Sequence, residues 1–219
     1  MSTYAVSELV KEVKVLLDRN QETSGLLTPT DSDTLSQGEL IQSKIVDAAR
    51  IILKDAPASM LDGQRFEGLD VSWQESYGAY VGTMYLPSDM IRLLSVKASD
   101  WQRSAQVITE DDDAYKMQGS RFGVRGNPER PIAALIHSDG ERFLELYTSR
   151  SDKATVVLSC VCMSIISQEK IRLPETLKDS IVYMAGYLVC VSLGDSDSAS
   201  GLLGVARKLA HIVEPTETS

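Results

Sequence analysis

The chain has 219 residues, 43% of them apolar, and a formal charge of −9 from 31 acidic and 22 basic side chains. That apolar share supports a sizeable core and excludes a disordered chain, and the acidic balance is the wrong sign for neutralising nucleic-acid phosphates. Aromatic residues make up 6% of the chain, which leaves few platforms for stacking single strands.

The first residues, Met1-Ser2-Thr3-Tyr4, carry no basic segment followed by an apolar run, so no signal peptide is expected and the protein is expected to stay in the cell that makes it. Val6, Leu9, Val10, Val13, Leu16 and Leu17 recur at helical spacing and predict a helix over 5–19. Residues 20–35, rich in Thr, Ser and Asp and broken by Thr28-Pro29, form a connecting loop. Ser36 and Glu39 have capping-box spacing, because the Ser oxygen can satisfy a first-turn amide while the Glu reaches back. The helix they open runs to Lys54, buries Leu40, Ile41, Ile45, Ala48, Ala49 and Ile52, and ends before Pro57.

Over 63–166 the period changes to 2: Leu69, Val71 and Trp73 alternate with polar residues, and Leu86-Pro87-Ser88-Asp89 turns the chain into a strand over 90–96. A run of short antiparallel strands follows from this. Asp111-Asp112-Asp113-Ala114-Tyr115 has the carboxylates of a helix first turn. Residues 119–131 form a turn-rich loop, 132–136 and 143–147 a hairpin through Ser138-Asp139-Gly140, and 154–166 a last long strand, where the sheet ends.

Leu173-Pro174-Glu175 marks a new helix start. Its apolar face is Leu177, Ile181, Met184, Ala185, Leu188 and Val189, but Val182, Tyr183, Tyr187 and Val191 extend apolar character around the cylinder, so this helix must be covered on most sides. The apolar run over 181–193 is shorter than the ~20 residues of a membrane span. Residues 194–198 end this helix and cap a final one carrying Leu202, Leu203, Ala206, Leu209, Ala210 and Val213. The expected fold class is α+β: a helical bundle from the N- and C-terminal helices (1–62 and 167–213), an inserted antiparallel β-sheet (63–166) and a tail (214–219).

Chemistry is sparse. The three cysteines sit in apolar runs, as reduced core thiols do. Cys160-x-Cys162 puts two thiols on one side of a strand, but with His137 and His211 the only histidines no zinc spacing is completed. No nucleophile elbow, His-Glu-x-x-His helix or phosphate loop is present, and Gly119, Gly123 and Gly126 lack strand-to-helix context. Glu110-Asp111-Asp112-Asp113 offers oxygen ligands to a divalent cation, yet it lacks the alternating spacing of a calcium loop; helix capping is favoured, and a metal-dependent hydrolase on these carboxylates carries least weight. Trp73, Tyr77, Tyr80 and Tyr85 suit either cross-strand pairs or a ligand groove, and the groove gives an alternative function, a soluble ligand-binding or regulatory module with an aromatic-lined pocket. Trp101 and Arg103, on one face of an extended segment, suit a stacked cation and ring or core packing with a snorkelling Arg. No cofactor, metal or enzymatic activity is expected.

The ordered series Tyr85-Leu86-Pro87-Ser88-Asp89-Met90-Ile91-Arg92, Val96, Trp101-x-Arg103, Ile108, Tyr115, Gly126-Asn127-Pro128, Pro131 and Leu144-Glu145-Leu146-Tyr147 resembles the head-to-tail adaptor ring proteins of tailed bacteriophages, among them podovirus tail-tube adaptors and the ring proteins of crAss-like phages. With its flanking helices the likeness covers 1–213 at the level of architecture. The resemblance implies a non-enzymatic virion subunit at the head–tail junction, made in the host cytoplasm. It implies a homo-oligomeric, dodecameric ring that docks on the portal protein, meets a tail or second ring protein below, and passes DNA without specific binding; no membrane is involved. The acidic balance suits a channel through which DNA slides. The candidate partner interface it implies comprises Trp101, Arg103, Tyr115, Asn127 and Pro128, with Leu26 and Leu27 of the 20–35 loop and Ile212 and Val213 before the short tail.

Overall fold

The computed structural model describes residues 2–17, 36–120, 125–138, 140–163, 165–167 and 169–213. Leu26, Leu27, the rest of the expected 20–35 loop and the 214–219 tail lie outside them. The chain forms two compact units: Met1–Asp62 with Met163–Ser219, and the continuous stretch Gly63–Cys162.

The first unit holds four helices and a sheet. Its chain opens with a strand, β1 (Ser2–Ala5), before α1 (Val6–Leu16), so the helix expected over 5–19 is shorter at both ends. In α2 (Gln37–Asp55) the capping box forms as expected: the Glu39 amide donates to Ser36 Oγ at 3.3 Å, and the Ser36 amide donates to Glu39 Oε2 at 2.8 Å. These hydrogen bonds hold the Glu39 carboxyl below its usual range.

A one-turn 3-10 segment (Glu175–Leu177) leads into α4 (Lys178–Ser192), which packs against α1, α2 and α5 (Ser196–Leu209). Ile181, Val182, Met184, Ala185, Val189 and Cys190 of α4 are buried, while Asp179 and Val191 are exposed and Tyr183 and Tyr187 half-buried along one line of the helix. Gly186 faces the leucines of α1 and α5, since a Cβ there would stand 3.0 Å from the Leu16 side chain and 3.5 Å from that of Leu202. The buried Ser180 hydroxyl donates to the Ala206 carbonyl at 2.8 Å, tying α4 to α5. Lys178 Nζ meets Glu12 Oε1 at 2.5 Å, and this bond holds the ammonium pKa above its usual range.

Both C-terminal helices end in left-handed caps. Gly194 (φ 75°) closes α4 with Asp195 N–H donating to Cys190 O at 3.0 Å, and His211 (φ 53°) closes α5 with Ile212 N–H donating to Arg207 O at 2.9 Å.

The second unit carries β2 (Gln64–Glu67), β3 (Ser72–Ser76), β4 (Ala79–Tyr85), β5 (Met90–Ala98), β6 (Gln106–Thr109), α3 (Asp113–Met117), β7 (Ile132–Ser138), β8 (Glu141–Ser149) and β9 (Val156–Cys162). They form two sheets, ordered β2-β9-β5 and β3-β4-β8-β7-β6. Met84, Val96, Trp101, Leu144, Leu146, Val156 and Leu158 belong to one buried cluster, and Ile108, Ala134, Ile136 and Tyr147 to another, on the opposite face of the five-stranded sheet. The strands are not uniformly antiparallel as expected: β6 pairs with β7 in parallel.

The strand expected over 154–166 is also broken. After β9 the chain leaves that sheet, and β10 (Ile165–Ser167) and β11 (Lys170–Leu173) join β1 in a third sheet, ordered β1-β11-β10, in the helical unit. These features overturn the expected fold class. The protein is mixed α/β with three sheets, not a helical bundle carrying one inserted antiparallel sheet. The apolar run hides the break, because Val, Ile and Cys continue through it while its neighbours in space change.

β3 and β4 are joined by a two-residue turn in which Tyr77 (φ 56°) and Gly78 (φ 77°) both lie in the left-handed region, the type I′ geometry that matches strand twist. Tyr77 is 68% exposed, so its ring offsets little of that backbone cost. Tyr77→Asn is expected to stabilise the protein by about 0.5–1 kcal/mol, measured as a higher urea midpoint at unchanged slope.

Candidate functional site

The best-connected polar groups of the second unit lie where α3, the turn over 125–131, β8 and the loop after β5 converge. Gln118, just past α3 and 1% exposed, donates from its amide to Ala114 O at 2.7 Å and accepts from Gly126 N–H at 2.8 Å. The Gly126 carbonyl accepts from the Thr148 hydroxyl at 2.9 Å, and the Thr148 carbonyl accepts from the Trp101 indole N–H at 2.9 Å. Gln102 N–H donates to Pro128 O at 2.9 Å. Only glycine fits at the centre, because a Cβ on Gly126 would lie 2.8 Å from Tyr147 O and 3.0 Å from Ile132 N, both backbone atoms.

Beside this relay, Glu145 on β8 takes two phenols on one oxygen: Tyr147 at 2.5 Å and Tyr115 of α3 at 3.1 Å. The Arg125 guanidinium stands 5.4 Å from the centre of the Tyr147 ring and donates to Ser76 O and Oγ at 3.2 Å each. Burial, reinforced by Glu145, pushes the Tyr147 phenol far above its usual pKa, and the same causes raise Tyr115. Both phenols are donors to the carboxylate, so the arrangement pins α3 and the 125 turn to the sheet.

The sequence-predicted site residues separate here. Trp101 is 2% exposed and Pro128 is buried, both anchoring loops. Tyr115 is half-buried on Glu145. Arg103 is exposed while Trp101 is buried, in a turn and not on one extended face, so the stacked pair is not formed. Asn127 is exposed; its Oδ1 accepts from the Glu129 and Arg130 amides at 3.0 and 2.9 Å, which shapes the turn. Ile212 belongs to the α5 cap in the other unit, and Val213 is 86% exposed.

Of the acidic cluster, Asp112 accepts from the Thr109 amide at 2.7 Å and hydroxyl at 3.1 Å, and Asp113 pairs with Lys116 at 3.0 Å. Among the described residues no group of three or more His, Cys, Asp or Glu is arranged to hold a metal. Cys160 and Cys162 lie on one face of β9 with sulfurs 3.5 Å apart; burial raises both thiols, Cys162 to about 12, so they stay protonated at neutral pH. Trp73 packs on the core and donates to Ala154 O at 3.1 Å, while Tyr77 is at an exposed hairpin tip and Tyr85 meets Phe143 edge-on at 6.2 Å. The register puts Trp73 and Tyr85 on opposite faces of the sheet, so these aromatics do not gather around one groove.

Sequence reading missed Gln118, Thr148, Arg125 and the role of Glu145. For Glu145 a signal existed: it shares a strand face with Tyr147 between the apolar Leu144 and Leu146. No protein-family model matches the chain, and no curated protein is a significant relative. No described helix is long and apolar enough to cross a membrane.

Gly126→Ala must displace backbone and is expected to cost about 1–3 kcal/mol, read as a lower urea midpoint. Tyr115 and Tyr147 hold their protons more tightly folded than unfolded, so the stability they contribute is present below pH ~10 and is lost as pH rises beyond it. Tyr147→Phe is expected to lower stability at pH 8 by roughly 1–2 kcal/mol. It should also flatten the decline between about pH 10 and 11 relative to the parent in urea titrations.

Proposed function

We infer that the chain is a structural virion protein, a ring-forming head-to-tail adaptor that docks on a portal protein and continues the DNA channel toward the tail. The observation that carries this reading is the ordered residue series from Tyr85 to Tyr147, which resembles that of phage adaptor rings. The layout of helices around one inserted sheet gives no support, because the fold differs from it.

The use of polar groups in the second unit is consistent with a scaffold. Trp101, Gln118, Gly126 and Thr148 satisfy one another, Glu145 takes the Tyr115 and Tyr147 phenols, and together they fix loops, which is what a protein contact surface requires of its frame. The reading assigns contact to the exposed side chains on that frame, Arg103 and Asn127, with buried Trp101 and Pro128 setting their position. The negative charge of −9 disfavours tight adhesion to DNA passing through the ring.

Two measurements test the proposal. Cryo-electron microscopy of phage particles containing the protein should show it as an axial ring between portal and tail, and its absence from purified particles would sink the reading. Arg103→Glu should leave the unfolding free energy from urea titration within about 0.5 kcal/mol of the parent's and reduce incorporation into particles; unchanged incorporation would remove Arg103 from the contact.

A further inference from the structure

Along β9 the side chains of Cys160 and Cys162 lie on one face, with their sulfurs 3.5 Å apart. The neighbouring strand adds a third sulfur. Met90, the first residue of β5, stands opposite Cys162 in the register, which puts its side chain on that same face. All three belong to one buried cluster. Cys162 ends β9 and Met90 begins β5, so the group lies at the strand ends beside the 86–89 turn and not in mid-sheet.

We propose that Cys160, Cys162 and Met90 form a binding site for a soft monovalent metal ion, Cu(I), held by two thiolates and a thioether. These are the donors that soft Cu(I) selects. Distance favours an ion over a disulfide. Two thiolates, each about 2.3 Å from one metal, can stand as much as roughly 4.6 Å apart, whereas an S–S bond needs about 2.05 Å. Closing from 3.5 Å to that length strains a strand whose residues i and i+2 are about 6.7 Å apart, close to the upper limit of about 6.8 Å for bridged cysteines.

Donor number and charge select the metal. Zinc asks for four ligands of the His, Cys or carboxylate kind, and among the described residues no third His, Cys, Asp or Glu joins the two thiols in a metal-holding group. Binding Cu(I) releases both thiol protons to solvent and leaves one net negative charge on the copper dithiolate. The Arg142 guanidinium, which donates to the Met90 carbonyl at 2.7 Å, stands beside the site to offset that charge. Asp89 opposes it, but from an exposed position in the turn where water screens it. All these residues lie within the second unit, so the site needs no assembly into a ring.

The test is anaerobic loading of the full chain with Cu(I), supplied as its acetonitrile complex, followed by competition with bicinchoninate. The parent is expected to retain about one ion per chain, and X-ray absorption at the copper edge should show sulfur neighbours alone at about 2.3 Å. Zn(II) offered in the same way should be stripped by EDTA. Met90→Leu keeps the core volume and should weaken Cu(I) binding by about tenfold or more. The double variant Cys160→Ala with Cys162→Ala should abolish retention, and Cys190→Ala, in the other unit, should leave it unchanged. Loss of all copper from the parent, unchanged retention in the double variant, or an unaltered affinity in Met90→Leu overturns the proposal. Nitrogen or oxygen neighbours around copper in the parent overturn it as well, and that readout needs no variant to fold.

Discussion

A helix that is apolar around most of its circumference must be covered on most sides, and α4 imposes that constraint on the whole helical unit. Each fully buried Ile, Val or Met on it contributes roughly 1.5–3 kcal/mol only if water is excluded from its side of the cylinder. No single neighbour can do this, so the chain supplies α1 and α2 from before the sheet unit and α5 from after it. The small details serve the same end: Gly186 allows close approach, Ser180 spends its hydroxyl on Ala206, and Gly194 turns the chain back so that α5 can lie against α4.

The second unit solves a different problem. Its two sheets bury ordinary alternating faces, but long connections must be held in one conformation with few apolar residues of their own. They are held by buried polar groups that satisfy one another, from Gln118 through Gly126 and Thr148 to Trp101. Such a relay is costly when any member is lost, because each partner left behind is an unpaired group away from water. Rigid loops with exposed charged tips are what a contact surface needs, and this links the local chemistry to the scaffold reading.

The helices were legible because their signals are local. The capping box at Ser36, the 3.6-residue period of α2 and the all-round apolarity of α4 each lie within a few turns of sequence. The β7–β8 hairpin was legible, but the division of the strands among three sheets was not, because most pairing partners are chosen at long range. Nothing near Ile165 announces that β10 abandons the sheet of β9, and nothing in Ser2–Ala5 announces that it waits for Lys170–Leu173. The site was legible in part for the same reason. Trp101 and Tyr115 stand out by type, but their partners, a backbone carbonyl at Thr148 and a carboxylate at Glu145, are fixed only once the strands are in register. The stacked Trp101–Arg103 pair failed because a turn replaces the extended segment that the i, i+2 spacing assumed.

The pairing of β1 with β11 also orders events during synthesis. The sheet unit is continuous in sequence, whereas the helical unit is assembled from residues on both sides of it. At about 5–20 residues per second, the ribosome takes roughly 5–20 s to make the intervening hundred residues. Throughout that interval α1 and α2 present apolar faces with α4 not yet made. The nascent chain thus completes its middle before its beginning, and the first helices are the segment for which a chaperone has most use.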